Sequence, residues 1–264
     1  MGKPEIKIID AHTHVQFKQY ESDRDEVVVR SLAAGVGMIN AGADLKSSKD
    51  AVDLAHKYEN GVWATVGIHP TEDKDFDKFE EIIKLSNDPK VVGIGECGLD
   101  YFRNNSFEVK KRQEEAFEKH IELSQKSKKP LVIHCREAFV DVVELLESHK
   151  NELLTEPGIL HFFTGTAEDA KKILELNFSF TFGGLVTLNH SFDGIIKMVP
   201  IQKILIETDA PFVSPKSRRG QRNEPVYVVE VIPIIAAIKQ ITEESVTKKL
   251  LENTERVFGE IKLQ

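Results

Sequence analysis

Six side chains carry the chemistry open to this sequence. His12 and His14 stand one residue apart, and Glu96, His134, His161 and Asp209 follow, each near the end of a short apolar run. In an extended segment residues i and i+2 point to the same side, so both early imidazoles can converge on one ion. A single buried histidine is ordinarily a hydrogen-bonded core residue, because backbone groups readily satisfy its two ring nitrogens. Four imidazoles and two carboxylates gathered together are different. Buried without partners, each charge among them costs several kcal/mol, whereas divalent cations satisfy them jointly. Six donors exceed the four that one tetrahedral zinc accepts. Two ions fit, with Glu96 bridging them through its two oxygens, His12, His14 and Asp209 on one, and His134 and His161 on the other. The mixed donor set suits zinc or manganese, and the acids also admit magnesium.

The stretch VVGIGECGLD, residues 91–100, also contains Gly93-x-Gly95-x-x-Gly98, the spacing with which a turn cradles a dinucleotide pyrophosphate ahead of a helix N-terminus. Glu96 would place a carboxylate inside that nest, and the following LDYFRNN has no helical period. The glycines are expected instead to make room for backbone turns beside a cation site.

For these donors to meet, separate segments must bring them to one rim. Short β-branched runs recur: IKIID near residue 8, VGMINAG near 38, VWATVGIH near 65, VVGIGE near 93, PLVIHC near 133, GILHFF near 160, FSFTFGG near 180 and KILIETD near 206. Periodic polar segments separate them, such as RQEEAFEKHIELSQK, where Ala116, Phe117, His120, Ile121 and Ser124 would share one helix face. A repeat of ~27 residues is what one strand, one helix and two loops require. Eight such units predict an α/β fold, a (β/α)8 TIM barrel, and the length is near the ~250 residues typical of one. A doubly wound sheet would alternate similarly but with fewer strands. No Pro/Gly/Ser-rich linker divides the chain, so residues 1–264 are expected to form a single domain. After the eighth run, EPVYVVEVIPIIAAIKQ and TEESVTKKLLENTERVFG read as two further helices, the second capped by Thr242. Barrels of this kind build their sites at the C-terminal strand ends. His12, His14, His69, His134 and His161 lie at such ends, whereas His56, His120, His149 and His190 fall in helices or loops and read as surface or packing residues.

The composition, 41% hydrophobic and 30% charged, is that of an ordinary globular protein. No apolar run approaches the ~20 residues that cross a bilayer, and the opening MGKPEIKIIDAH lacks a signal pattern, so a cytoplasmic protein without membrane association is expected. Two cysteines, Cys97 and Cys135, cannot build a disulfide framework or a thiolate zinc site and are expected to be reduced. A net charge of −8 argues against coating nucleic acid with a broad basic surface. It leaves open an enzyme whose bound cations supply positive charge locally. PKSRRGQRN is the one basic concentration, and a solvated turn is its simplest reading.

Several of these segments together resemble a known group. D-A-H-T-H at 10 to 14, G-I-H-P at 67 to 70, G-E-C-G-L-D-Y at 95 to 101, P-L-V-I-H-C-R-E-A at 130 to 138, H-F-F-T-G at 161 to 165, E-T-D-A-P at 207 to 211 and R-N-E-P at 222 to 225 are similar to the TatD family of metal-dependent deoxyribonucleases, within the amidohydrolase superfamily. The resemblance spans nearly the whole chain. It implies a (β/α)8 barrel, a divalent-metal centre and hydrolysis of DNA phosphodiester bonds, often from the 3′ end, with His12, His14, Glu96, His134, His161 and Asp209 in the metal positions. Phe162 departs from relatives that have Cys or Ser after the histidine. Glu96 stands where many amidohydrolases have a carboxylated lysine, which disfavours a phosphotriesterase-like or dihydroorotase-like reading.

On this reading two divalent ions lower the pKa of a water from ~15.7 toward ~7 for in-line attack on phosphorus, with Asp209 as general base. Glu207 shares the facing of Asp209 and is expected to orient a ligand or, as the lesser reading, to be the base, unless it is a core-side carboxylate paired with a lysine or arginine. His69 is expected to stand apart from the ligand set and touch phosphate or the leaving group, with a structural imidazole next to Pro70 as the other reading. Arg136 and Arg222 could grip phosphate with two prongs, although Arg222 could equally pair with Glu224. Tyr101 and Phe102 could stack on an unpaired base or simply pack. The expected substrate is DNA, single-stranded or at 3′ ends. Competing readings are a metal-dependent esterase or amidohydrolase, such as an aminoacyl-tRNA deacylase, and a non-catalytic metal-bound interaction module.

Overall fold

The apolar runs become strands and the periodic segments helices. A computed structural model describes residues 5–102, 104–259 and 261; the remainder of the expected 1–264 span lies outside it. Eight strands, β1 (Ile8–Thr13), β2 (Val36–Ala41), β3 (Val62–Val66), β4 (Val91–Asp100), β5 (Leu131–Arg136), β6 (Gly158–Leu160), β7 (Ser179–Phe182) and β8 (Ile204–Ile206), pair in parallel in chain order. Between them lie α1 (Arg24–Ala33), α2 (Leu45–His56), α3 (Phe79–Leu85), α4 (Phe107–Ser127), α5 (Phe139–Ser148), α6 (Ala167–Glu175) and α7 (Asp193–Met198), with α8 (Ile232–Lys239) and α9 (Glu243–Val257) after the last strand. The sheet closes where Asp209 N donates to His12 O at 2.9 Å and His14 N donates to Ala210 O at 2.8 Å. The buried carboxylate of Asp10 fastens this seam by accepting from both the N–H and the hydroxyl of Thr208.

Both faces of each strand are buried, which is why the runs read as nearly continuous apolar stretches rather than alternating ones. Ile9, Ile39, Trp63, Val92, Val132 and Leu205 fill the barrel interior, where Val257 and Phe258 from the end of α9 join them. Their neighbours Ile8, Met38, Val91, Leu131 and Ile204 point outward into the layer beneath the helices. On α4, Ala116, Phe117, His120, Ile121 and Ser124 are buried as their spacing requires. His120 is a packing residue, accepting from Ile68 N at 3.0 Å and donating to Ala116 O at 2.7 Å. Thr242 caps α9 by accepting from Ser245 N. The segment EPVYVVEVIPIIAAIKQ, read as one helix, is instead a 3-10 stretch over Pro225–Val231 followed by α8. Pro233 supplies the reason: it has no N–H for the preceding turn and fits only near a helix start. Among the described residues, no single helix is long and apolar enough to cross a membrane.

Arg222 belongs to this framework and not to a phosphate grip. Its two Nη atoms bind Asp23 Oδ1 and Oδ2 at 2.7 and 2.6 Å, and Nη2 also reaches Glu224 Oε1 at 3.2 Å. Arg30 clasps the same Glu224 through two nitrogens at 2.6 and 2.9 Å. With its prongs committed, Arg222 has no fork left to offer substrate. Arg222→Ala leaves Glu224 with one cation and is expected to cost about 1–3 kcal/mol, lowering the melting temperature by about 2–4 °C for each. Burial pushes the Glu224 carboxyl up, but Arg30 and Arg222 outweigh it and hold it below its ordinary value. The stability contributed is therefore complete above that ordinary value, 4.5, and is lost as pH falls through the depressed folded one. Melting curves of wild type and variant should converge at acid pH.

Candidate metal centre

The expected ligands arrive at one rim because two strands bulge. Between Asp10 and Thr13 β1 carries one residue more than β2, and between Ile94 and Cys97 β4 carries one more than β5. A bulge bends a strand and re-aims the side chains near it. His12 and Glu96 sit at these irregularities, and His14 lies one residue beyond the end of β1. The glycines beside Glu96 serve the same crowding. A Cβ on Gly95 would stand 2.3 Å from Val132 O, and one on Gly98 would stand 2.1 Å from His134 O, at φ of +144° and +124°. They exist to let β4 pass β5, with no phosphate nest.

Glu96 lies between two sets of donors. Its Oε2 is 3.5 Å from His12 Nε2 and 3.7 Å from His14 Nε2, and the latter is 3.4 Å from Asp209 Oδ1. Its Oε1 is 3.0 Å from both His134 Nδ1 and His161 Nε2. Donors bound tetrahedrally at 2.0–2.1 Å are separated from one another by about 3.4 Å. The fold thus brings His12, His14 and Asp209 to one side of Glu96 and His134 and His161 to the other.

The hydrogen bonds of the far ring nitrogens test whether cations fit. His14 Nδ1 lies 2.8 Å from Ala41 O, which can only accept, so in the neutral ring Nε2 bears a bare lone pair. His134 Nε2 lies 3.0 Å from Asp100 Oδ2, leaving Nδ1 bare in the same way. Each lone pair faces the Glu96 carboxylate and has nothing to accept from it, an arrangement that a positive charge between them makes favourable. Protonation would meet the same demand. Burial pushes the His161 imidazole down, yet Glu96 and Glu207 hold it well above its ordinary value. Burial likewise pushes Glu96 up, and the surrounding imidazoles hold it well below. The residues present therefore fit divalent cations.

Asp100 was not singled out in the sequence, although it fixes His134. A carboxylate behind a ligating histidine sets its tautomer and raises its basicity. Asp100→Asn is expected to weaken metal binding about 10–100-fold, readable by titration of the metal-free protein. Glu207, fully buried, stands behind His161 with Oε1 3.5 Å from Nδ1, while its Oε2 accepts from Thr181 at 2.6 Å.

All the donors but the fully buried His12 line a cavity of about 600 Å³ at the C-terminal strand ends. His69 is closer to them than its sequence position suggested, with Nε2 3.4 Å from Glu96 Oε1 and Nδ1 2.8 Å from Thr71 Oγ1. Burial pushes its imidazole down to about 3, so it is neutral near physiological pH. Arg136 is exposed on the cavity wall, its guanidinium 3.6 Å from the centre of the Phe102 ring. Tyr101 is a packing residue, buried with its hydroxyl 3.3 Å from Glu114 and Lys110 over its ring. Among the other histidines, His56 pairs with Asp88 and His190 with Asp193 on the surface. Cys97 and Cys135 are buried free thiols.

A parallel barrel with paired imidazole and carboxylate donors at its C-terminal mouth defines a metal-dependent hydrolase. The family described as TatD related DNase matches residues 9–259, and the chain belongs to that family. Over 256 residues it is 37% identical to a Bacillus subtilis protein named as the uncharacterized metal-dependent hydrolase YabD, covering 95% of this chain and 98% of that one. Over 263 residues it is 34% identical to the 3′-5′ ssDNA/RNA exonuclease TatD of Citrobacter rodentium, covering 96% and 98%. The solved structure of YJJV, a TatD homolog from Escherichia coli, shares the fold with a TM-score of 0.86 at 24% identity, covering 96% of this chain and 98% of that one.

Proposed function

We propose that the chain is an exonuclease that removes nucleotides from the 3′ end of single-stranded DNA using two divalent cations, in the cytoplasm. One observation carries the reading: the two oxygens of Glu96 divide between His12 and His14 on one side and His134 and His161 on the other. The family and the exonuclease named among the relatives support this bond and polarity. His12, His14, Asp209 and Glu96 would hold one ion, and Glu96, His134 and His161 the other; zinc, manganese and magnesium all suit these donors. Such ions, when bound, acidify a water and neutralise charge growing on the phosphoryl oxygens.

The chain's own residues do the rest. Asp209 reaches the cavity from the turn after β8 and accepts the proton of the attacking water. Asp100 and Glu207 hold His134 and His161 in register from behind. The neutral His69 accepts at Nδ1 from Thr71 N at 3.2 Å, so its Nε2 carries a proton to offer a phosphoryl oxygen. Arg136 presents its guanidinium at the wall, where two oxygens of one phosphate can be bound together.

Elemental analysis combined with digestion of 3′- and 5′-labelled oligonucleotides tests the reading. Chelation should abolish cleavage and re-addition of one of the three metals restore it, with mononucleotides released from the 3′ end. Metal-dependent turnover of an aminoacyl ester without oligonucleotide cleavage would assign the site to a deacylase instead.

A further inference from the structure

The turn that carries Asp209 into the cavity carries a second side chain there. Phe212 lines the mouth yet remains 44% exposed, although the interior offers ample apolar surroundings. The backbone is built to keep it there. Asp209 and Val213 both have left-handed conformations, with φ of +53° and +46°. A β-branched residue seldom adopts that region without a compensating structure. The compensation is Asn223, fully buried, whose Nδ2 donates to Thr208 O, Phe212 O and Val213 O at 2.9, 2.8 and 3.2 Å. Phe212 N is likewise committed, to Asp209 O at 2.9 Å.

The ring thus held has a neighbour. Phe17, also on the cavity wall, stacks on the imidazole of His14 with centroids 4.4 Å apart and planes 15° from parallel. Phe212 meets Phe17 at 71° with centroids 6.4 Å apart, and its centroid is 6.3 Å from that of His14. Two aromatic rings therefore form a corner beside the imidazole of one donor set. A phosphodiester reaching that set brings a sugar and its base with it, and the corner stands within one nucleoside of the phosphate. We infer that Phe212, backed by Phe17, is the platform on which the terminal nucleobase of the substrate stacks.

This deepens the exonuclease reading and rests on it for the identity of the ligand. Base–aromatic stacking needs only a π-face, which every base has. Phe212 N, Phe212 O and Val213 O are engaged within the protein, so the ring offers its face to any of the four bases. A base lying here has left its duplex stack, which selects an unpaired end.

The test uses the full chain loaded with metal and two probes. The first is a pair of 5′-labelled oligonucleotides that differ only in whether the 3′-terminal nucleotide bears a base or is abasic. Wild type should show a KM lower by about 5- to 150-fold for the base-bearing end, the range that one lost stack produces. Phe212→Ala, and Phe212→Leu, which keeps apolar bulk without a π-face, should erase that difference, while Phe212→Trp keeps it. The second probe is an oligonucleotide ending in 2-aminopurine, whose fluorescence falls on stacking; wild type and Phe212→Trp should quench it and Phe212→Leu should not. Cleavage without base discrimination and without quenching overturns the platform and leaves the nuclease standing. Quenching without cleavage under any metal overturns the nuclease and leaves a base-binding corner. Equal quenching by wild type and Phe212→Leu overturns the platform too.

Discussion

Glu96→Gln is expected to strip metal from the protein and to lower kcat by about 10³-fold or more, since the loss combines charge stabilisation with activation of the nucleophile. The magnitude follows from the position of the carboxylate. Its Oε1 lies 3.0 Å from His134 Nδ1 and His161 Nε2, with His69 Nε2 at 3.4 Å, and its Oε2 lies 3.5 and 3.7 Å from His12 and His14 Nε2. Glutamine has the same shape but one acceptor and no charge, so its NH₂ must turn toward one donor set and offer hydrogens where a cation should sit. At 4% exposure no surrounding water can take over the missing charge. Metal binding at both donor sets should therefore weaken together, unlike Asp100→Asn, which reaches the donors through His134. Metal content by elemental analysis, with kcat measured at saturating metal, reads the outcome. Full metal content with turnover within tenfold of wild type would remove Glu96 from the centre of the site.

The strands were legible because each is buried on both faces and so is written as a β-branched run. The donors were legible because each lies near the end of such a run. What escaped was whatever depends on a contact between distant segments. Asp100 ends β4, four residues beyond Glu96, and only the fold shows it behind His134, 34 residues later. Asp10 was quoted within a motif but not as the fastening of β1 to β8, a contact across 198 residues. For Arg222 the sequence left a phosphate grip and a salt bridge both open, because Asp23 is 199 residues away and Arg30, which shares Glu224 with it, 194 from that glutamate. Glu224, two residues on, could be named from the sequence as a partner for the last arginine of PKSRRGQRN, whereas Asp23 could not. His69 was placed apart because its distance from Glu96 is set by the pairing of β3 with β4. The break before α8 was readable from Pro233, which an unbroken helix could not accommodate at that position.

Asp209→Asn should lower kcat by about 10²–10⁴-fold, the range for loss of a positioned general base, with KM for the oligonucleotide little changed. Asp209 differs from the other ligands in geometry. Oδ1 lies 3.4 Å from His14 Nε2 and 3.8 Å from His12 Nε2, so it completes that donor set. Its side chain is 17% exposed, more open to the cavity than Glu96, and its left-handed backbone is fixed by the bond from its N–H to His12 O. A carboxylate so placed can bind through one oxygen and take a proton on the other. Asparagine retains the first function in part and lacks the second. The informative comparison is single-turnover cleavage at saturating manganese, where weakened metal affinity no longer limits the rate and the remaining deficit belongs to proton transfer. If the variant then cleaves as fast as wild type, the base must lie elsewhere. Glu207 is no substitute, because it is fully buried behind His161 with one oxygen held by Thr181 at 2.6 Å. A proton from the cavity could reach it only through the His161 ring, so the base would have to be sought among Glu72 and Asp100, the remaining carboxylates of the cavity wall.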